Sequence, residues 1–527
     1  MPTLQWIGKD KVINHHQQVP YRVLSHVYSY DEQGTHQGEQ HSGNMIIHGD
    51  NLEALKALMP EYEGRVKCIY IDPPYNTGNE GWVYNDNVND PRIRKWLGEV
   101  VGKEGEDLSR HDKWLCMMYP RLRLLHRLLA EEGFIFVSID VFEFARLKLL
   151  MDEIWGETNF RNCIAVRRGI KNVQAQFPKV QALSLGHEYI FMYSKATSTK
   201  LHKLSGVLEA EKNGKWDTFW RGTNRPTMRY ELFGETPASG QWRWEQSRAR
   251  RAIRNYEEYL LDASDKLGLD DYYLYHLGST NEKLDFLRKN EVGSIQYYVP
   301  PQSSKLLSDN WMDLLLSGTY TDFETEKSTL LLNRIVSWIT EPNDIILDSF
   351  AGSGTTAHAV LNLNKQDNGN RRFIMIEMMD YADSITAERV KRVIRGYGEG
   401  SKAVPGTGGG FSYYELGEPL LDEDGLLNET VGLDKIRAYV WFTETRAPFQ
   451  PPLADAHPDF LGHHAGCDYY FHYKPGQATA LTLDYLNTLT QEAQRYVIYA
   501  DTCALGEDEM LRHGLTFRKI PRDITRL

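Results

Sequence analysis

At 527 residues, 41% of them hydrophobic and 25% charged, the chain is long enough for about three domains and a sizeable buried core. It has no apolar run of bilayer-spanning length, its opening Met1-Pro2-Thr3-Leu4-Gln5-Trp6 lacks signal-peptide form, and the cysteines at 68, 116, 163, 467 and 503 form no Cys-x-x-Cys pair. These features exclude a membrane span, a disulfide framework and a zinc ribbon and predict a cytoplasmic protein with no metal centre, while a net charge of −12 leaves any nucleic-acid contact to local basic clusters.

Residues 1–44 are polar and are expected to wrap the outside; residues 45–160 alternate strand-like and helix-like patterns. Lys67-Cys68-Ile69-Tyr70-Ile71 reads as a buried strand that ends in Asp72-Pro73-Pro74-Tyr75. Pro73 and Pro74 remove two backbone N–H groups and stiffen the chain, leaving a rigid edge of acceptors. The Asp72 carboxylate and the Pro73 carbonyl can then both accept from one exocyclic –NH2, while Tyr75 offers a face for a base to stack on. Amine methylation asks for that geometry. Holding both N–H hydrogens biases a delocalised amine towards a tetrahedral nitrogen whose lone pair faces a methyl donor. A proline pair after a strand is also ordinary turn punctuation, so this segment needs support from elsewhere.

Arg121 to Leu129 has helical spacing, and Gly133 to Asp140 reads as the next strand. From about 161 to 315 the rhythm fades, and Trp, Tyr and Arg become more frequent. Basic groups here are Arg167-Arg168 with Lys171, then Arg221, Arg225 and Arg229, then Arg243, Arg248, Arg250, Arg251 and Arg254 interleaved with Trp242 and Trp244. Arginines beside indoles suit phosphates and base edges, with aromatic surface to insert; a solvated helix face over buried tryptophans fits equally.

The sheet pattern resumes near 321. Ile345-Ile346-Leu347 reads as a parallel strand, closed by Asp348 and followed by Ser349-Phe350-Ala351-Gly352-Ser353-Gly354-Thr355-Thr356 and a helical run. Gly352 and Gly354 let a ligand lie against backbone, and Thr355 and Thr356 are expected to cap the helix. A phosphate-binding P-loop would need a Lys before its final Ser/Thr; none stands here, so ATP is not expected. Arg372 to Glu377 is the next strand, with a carboxylate at its tip suited to a ribose diol. A nicotinamide dinucleotide would fit this half equally. Residues 398–410, rich in glycine, read as a linker to a small α+β domain over 411–527, with strands at Tyr439-Val440-Trp441-Phe442 and at Asp468 to Tyr473. His463, His464 and Cys467 lack an evident fourth metal ligand.

Taken together, the Asp-Pro-Pro-Tyr segment and the later glycine-rich turn resemble the S-adenosylmethionine-dependent DNA amino-methyltransferases of permuted order. More narrowly, the chain resembles the modification subunits of type III restriction-modification systems. Ile46 to Leu52, Met118-Tyr119-Pro120-Arg121-Leu122, Gly133 to Asp140, His187-Glu188-Tyr189-Ile190 and Phe323-Glu324-Thr325-Glu326-Lys327 add to the likeness, which covers roughly residues 1–400. It implies a Rossmann-like α/β fold with a mostly parallel sheet: catalytic halves at 45–160 and 321–397, a target-recognition insertion at 161–320 and the C-terminal α+β domain.

By resemblance, Asp72, Pro73, Pro74 and Tyr75 hold the target base. Asp348 and residues 350–356 border the methionine part of S-adenosylmethionine, Glu377 binds its ribose hydroxyls, Asp50 lies near its adenine amine, and Lys327 belongs to a segment folding over its amino-acid end. Ser328 departs from the family there, where many relatives have proline. For His187 and Glu188 a structural hydrogen bond is expected. Implied partners are double-stranded DNA, a second copy of the chain and a helicase-nuclease restriction subunit. The expected reaction is adenine N6 methylation with base flipping; cytosine N4 methylation and a silent DNA-binding specificity subunit are the alternatives.

Overall fold

A computed structural model describes residues 3–39, 42–76, 95, 110–169, 179, 183–318, 320, 326–400, 403–422, 424–447, 449–489, 493–521 and 523–524. By its contacts the chain divides into two units, Met1–His202 with Asp309–Leu527, and Lys203–Ser308.

The larger unit is built on one eleven-stranded sheet. Its strands are β1 (Arg22–Asp31), β2 (Gly34–His36), β3 (Met45–His48), β4 (Val66–Ile71), β5 (Leu129–Ile139), β6 (Phe160–Arg167), β7 (His187–Ser194), β8 (Asn310–Leu315), β9 (Ile345–Asp348), β10 (Arg372–Glu377) and β11 (Gly410–Pro419). The spatial order is β8-β6-β7-β5-β4-β9-β10-β3-β11-β1-β2. From β5 to β11 six neighbouring strands run parallel, and β7 is antiparallel to both its neighbours. Residues 69 and 71, 135 and 137, and 374 and 376 face one core, shared with Leu52, Leu55 and Leu58 of helix Asn51–Tyr62 and with Leu122 and Leu125 of helix Arg110–Leu128. The alternate residues Cys68, Tyr70, Phe136, Phe373 and Met375 are buried too. Burial on both faces is what the continuous apolar runs demand of a parallel sheet. This is the Rossmann-like α/β architecture expected from the sequence.

The boundaries differ from those expectations. Residues 22–31 form an inner strand between β11 and β2 instead of an outer wrap, because β1 pairs antiparallel with β11 along most of its length. The glycine-rich stretch after 397 is no interdomain linker: Val404–Pro405 pairs with Gly396–Tyr397, and the chain then enters β11 beside β3. Tyr439 to Phe442 lies in helix Leu433–Thr445, where Ile436, Tyr439, Val440 and Phe442 join the main core. Burial of one helical face overrides the strand preference of those residues. Asp468 to Phe471 does lie in a strand, within a four-stranded sheet of Phe460–His464, Cys467–Phe471, Arg495–Ala500 and Leu515–Lys519.

The inserted unit is narrower than 161–320, since β6, β7 and β8 belong to the main sheet. Its first and last strands, Ser205–Lys212 and Gln302–Leu306, pair antiparallel. Its own cores gather Phe219, Trp242, Ala249, Ala252, Leu287 and Ile295 in one cluster and Tyr259, Tyr273, Phe286 and Tyr298 in another. Among the described residues, no helix is long and apolar enough to cross a membrane, and no group of three or more His, Cys, Asp or Glu is placed to hold a metal ion.

Candidate active site

β4 and β9 are adjacent and parallel, with Ile346 opposite Cys68 and Leu347 opposite Ile69, so the two motif loops leave the same sheet edge side by side. From β4 the sheet grows one way through β5, and from β9 it grows the other way through β10. The gap between β4 and β9 is therefore a topological switch point, where open α/β sheets bind their ligands.

The Asp72 loop is anchored from behind. Trp114, fully buried, donates from Nε1 to the Pro74 carbonyl at 2.7 Å. Asn76 takes a left-handed backbone (φ 58°), and its Nδ2 donates to Glu143 Oε1 and to the Arg110 carbonyl at 2.5 and 3.1 Å. Asparagine tolerates that conformation better than most residues. Among the described residues no hydrogen bond reaches the Pro73 carbonyl. Thr77, Gly78, Lys171 and residues 323–325 lie outside the described residues.

Asp72 forms an ion pair with Lys327, Nζ to Oδ1 3.0 Å, and the same ammonium donates to Tyr75 OH at 2.8 Å. Glu188, on β7, brings its Oε2 to 3.7 Å from Lys327 Nζ. Burial lifts the Asp72 carboxyl above the usual carboxylate range, with the Lys327 charge pulling the other way. Burial also pushes the Tyr75 phenol far up, and the Asp72 and Glu188 charges add to that, so the ring stays neutral.

On the β9 side, Asp348 accepts from Phe350 N–H at 3.0 Å and from Thr356 Oγ1 at 2.6 Å. Gly352 (φ 50°) and Gly354 (φ 81°) are left-handed, and Gly354 is the N-cap of helix Thr355–Asp367. Thr355 and Thr356 do not cap that helix, as the sequence suggested: they are its first residues, and Thr355 Oγ1 donates to the Lys327 carbonyl at 3.3 Å. Glu377, at the tip of β10, accepts Gly352 N–H at Oε2 (2.8 Å) and Met379 N–H at Oε1 (3.0 Å). Ala351 N–H donates to the Ile376 carbonyl. Arg389, fully buried, donates to Ser353 Oγ and Thr355 Oγ1, both at 2.8 Å, and holds the turn from beneath.

Asp50 caps helix Asn51–Tyr62 through Leu52 and Glu53 N–H and pairs with buried Arg121 at 3.1 Å. Its backbone neighbour Gly49 donates to the Glu377 carbonyl. Asp50 thus stands beside the Glu377 edge with its carboxylate held by the helix and Arg121.

The electrostatics separate the candidate ligands. Burial lifts both Asp348 and Glu377 to about 7, and the Asp72 and Glu377 charges add to the shift at Asp348. Three buried carboxylates thus share one field around the glycine turn. Such a field repels the phosphates of ATP or a dinucleotide and suits a ligand offering hydroxyl hydrogens and positive charge. Ser349 Oγ adds a buried hydroxyl with no hydrogen-bond partner among the described residues. S-adenosylmethionine, a ribose diol joined to a sulfonium, fits this donor set.

Of the arginines singled out in the sequence, Arg167 and Arg168 belong to the larger unit and the other eight sit in the inserted unit. Arg248 is bound to Asp285 through two hydrogen bonds and lies over the Trp244 ring; Arg243 donates to the Thr218 carbonyl and lies over Tyr297. Arg225, Arg250 and Arg251 are exposed. Trp242 is a core residue, stacked on Phe219, and is not available for insertion.

Sequence reasoning missed Glu188 as a member of the site, along with Arg389 and Asn76. Only the asparagine after Tyr75, a residue type that favours left-handed turns, left a local signal.

The sheet, its switch point and the paired loops bring both motifs to the ligand-binding edge of a Rossmann-like α/β fold. The profile of the DNA methylase family matches residues 66–388, and the chain belongs to that family. It is 30% identical over 460 residues to the type III restriction-modification enzyme StyLTI Mod subunit of Salmonella typhimurium, covering 79% of this chain and 66% of that protein. The EcoPI Mod subunit of Escherichia phage P1 is 30% identical over 432 residues, 71% of this chain and 63% of its own length. The type II methyltransferase M.KpnI of Klebsiella pneumoniae is 30% identical over 370 residues, 64% of this chain and 81% of its own. The chain therefore spans just under two-thirds of the length of the Mod subunits that it matches.

Proposed function

We propose that the chain transfers the methyl group of S-adenosylmethionine to the N6 amine of adenine in duplex DNA, as the modification component of a type III-like restriction-modification system. The observation that carries this reading is the juxtaposition, on neighbouring parallel strands, of an acceptor edge at Asp72–Pro73 and a glycine turn ringed by buried carboxylates. The likeness to Mod subunits supports the restriction-modification setting.

A duplex hides the amine, so the adenine must leave the stack. Tyr75 stacks on it, while the Asp72 carboxylate and the Pro73 carbonyl each accept one amine hydrogen and fix the nitrogen for in-line attack. Asp72, its carboxyl lifted by burial, can also receive the proton that the methylated nitrogen releases. Glu377 takes the ribose hydroxyls, residues 350–356 border the methionine part, and Asp50 lies by the adenine edge of the cofactor. Once bound, the cofactor supplies an electrophilic methyl on sulfur, and no covalent enzyme intermediate is needed. The inserted unit would read the target sequence; a second copy of the chain and a helicase-nuclease subunit are the expected assembly partners.

The test is single-molecule sequencing of DNA from a methylation-deficient host that expresses the chain or its Asp72→Ala variant. N6-methyladenine at one motif, absent with the variant, is the expected result. Methylated cytosine would replace the base while keeping the chemistry. A folded wild type that leaves the DNA unmodified, alone and with a restriction subunit, would overturn the reading.

A further inference from the structure

The Lys327 ammonium sits where the reaction needs an empty acceptor. It is 3.0 Å from Asp72 Oδ1 and donates to Tyr75 OH at 2.8 Å, so it holds the carboxylate that a target amine must reach and the ring on which the base would stack. A neutral amine that binds Asp72 has to break this pair. The ammonium, only 12% exposed, would then lose its shortest ion pair among the described residues, which is costly for a buried charge.

Among the described residues, a second carboxylate stands ready to receive it. Glu188, with a side chain 6% exposed, has its Oε2 3.7 Å from Lys327 Nζ, and among the described residues that oxygen accepts no hydrogen bond. Its other oxygen faces Arg168 Nε at 3.3 Å, which holds the carboxylate in place and leaves Oε2 turned towards the lysine. If Lys327 shifts from Asp72 to Glu188, both cations keep a carboxylate partner and Asp72 accepts the amine hydrogen in place of the ammonium. A neutral base adds no charge, so the balance survives its entry.

We propose that Lys327 plugs the base site of the DNA-free enzyme, and that Glu188 is a positioning residue that takes over the ammonium when the target amine binds Asp72. The inference rests on Asp72 being the amine acceptor. It explains why a carboxylate on β7 is buried at this site, when the strand itself needs only apolar neighbours there.

The test is a double-mutant cycle read by base extrusion. A duplex carrying the motif found by sequencing, with 2-aminopurine at the target adenine, brightens when that base leaves the stack. With active wild type, E188Q should reduce the flipped fraction and raise KM for DNA about tenfold, because Lys327 then stays on Asp72. In a K327M background E188Q should change either quantity by less than twofold, since no lysine is left to receive. E188D keeps the charge but shortens the reach; it should show a smaller loss that also vanishes with K327M, and it serves as the probe if E188Q does not fold. Equal losses from the Glu188 variants in both backgrounds, or no loss in either, would overturn the proposal while leaving the methylation reading intact. An inactive wild type would defeat the methylation reading itself.

Discussion

Burial, more than any single charge, sets the behaviour of the site's residues. Asp72 has its carboxyl lifted by desolvation and held back by Lys327, so it remains an acceptor only while that cation or a polar ligand faces it. With Asp72 in the proposed role of base acceptor, Asp72→Ala is expected to lower kcat/KM for DNA by about 10³ while leaving the cofactor Kd within about twofold. Methyl incorporation and calorimetric titration measure the two. Glu377 gives a pH prediction. Its carboxyl is lifted from 4.5 to about 7, so between those values the folded protein binds more protons than the unfolded one, and this group's contribution to stability falls as pH rises through the window. In the proposed role of Glu377 the ribose hydroxyls need its ionised form, so cofactor affinity should be about tenfold weaker at pH 6 than at pH 8, with proton release on binding near neutrality. Asp348 is also lifted to about 7, which makes Glu377→Gln the decisive control: the pH dependence of the cofactor Kd should flatten in that variant.

Secondary-structure elements fix where these groups stand, and the cap of helix Asn51–Tyr62 shows how closely stability and site are joined. Asp50 both caps that helix and neutralises Arg121, whose side chain is 2% exposed. Asp50→Ala should cost about 3 kcal/mol, combining a lost cap with the loss of the buried Arg121 ion pair, whereas Asp50→Asn should cost roughly half of that because the cap survives. Urea unfolding checks the order. The strand-turn-helix units were legible because a continuous apolar run, an acidic residue and a small-residue turn leave few other conformations, and β4 and β9 lie where that pattern placed them. Helix Leu433–Thr445 was not legible: the run Tyr-Val-Trp-Phe favours a strand locally, and only packing against the main core decides otherwise. Glu188 was hidden for a different reason. Its importance comes from facing Lys327 across more than a hundred residues of chain, and nothing in local spacing reports that contact. The insertion's edges were blurred because β6 and β8 lie beside aromatic-rich sequence, and their parallel pairing is itself non-local.

For the whole molecule, the division of labour follows from how the inserted unit is attached. Lys203–Ser308 leaves and returns through one antiparallel ribbon, with Leu307 N–H bonded to the Leu204 carbonyl, so its two ends are neighbours. A short glycine-serine link in place of 205–306 should therefore leave the sheet folded and the cofactor Kd within a few-fold, while sequence-specific methylation is lost. The unit carries sixteen basic and fifteen acidic residues, so it has no general pull on DNA, and its proposed DNA contacts rest on particular side chains. Arg250 and Arg251 are exposed on helix Gln246–Asp262, whereas Arg248 is committed to Asp285. If both exposed arginines contact phosphates, the R250A/R251A variant should weaken binding to specific and non-specific duplexes alike, and the slope of log K against log salt should fall by about 1.8. Arg248→Ala should instead lower the unfolding temperature with little change in that slope. Fluorescence anisotropy across a salt series decides the matter, and an unchanged slope for R250A/R251A would move the DNA-facing surface of the unit away from this helix.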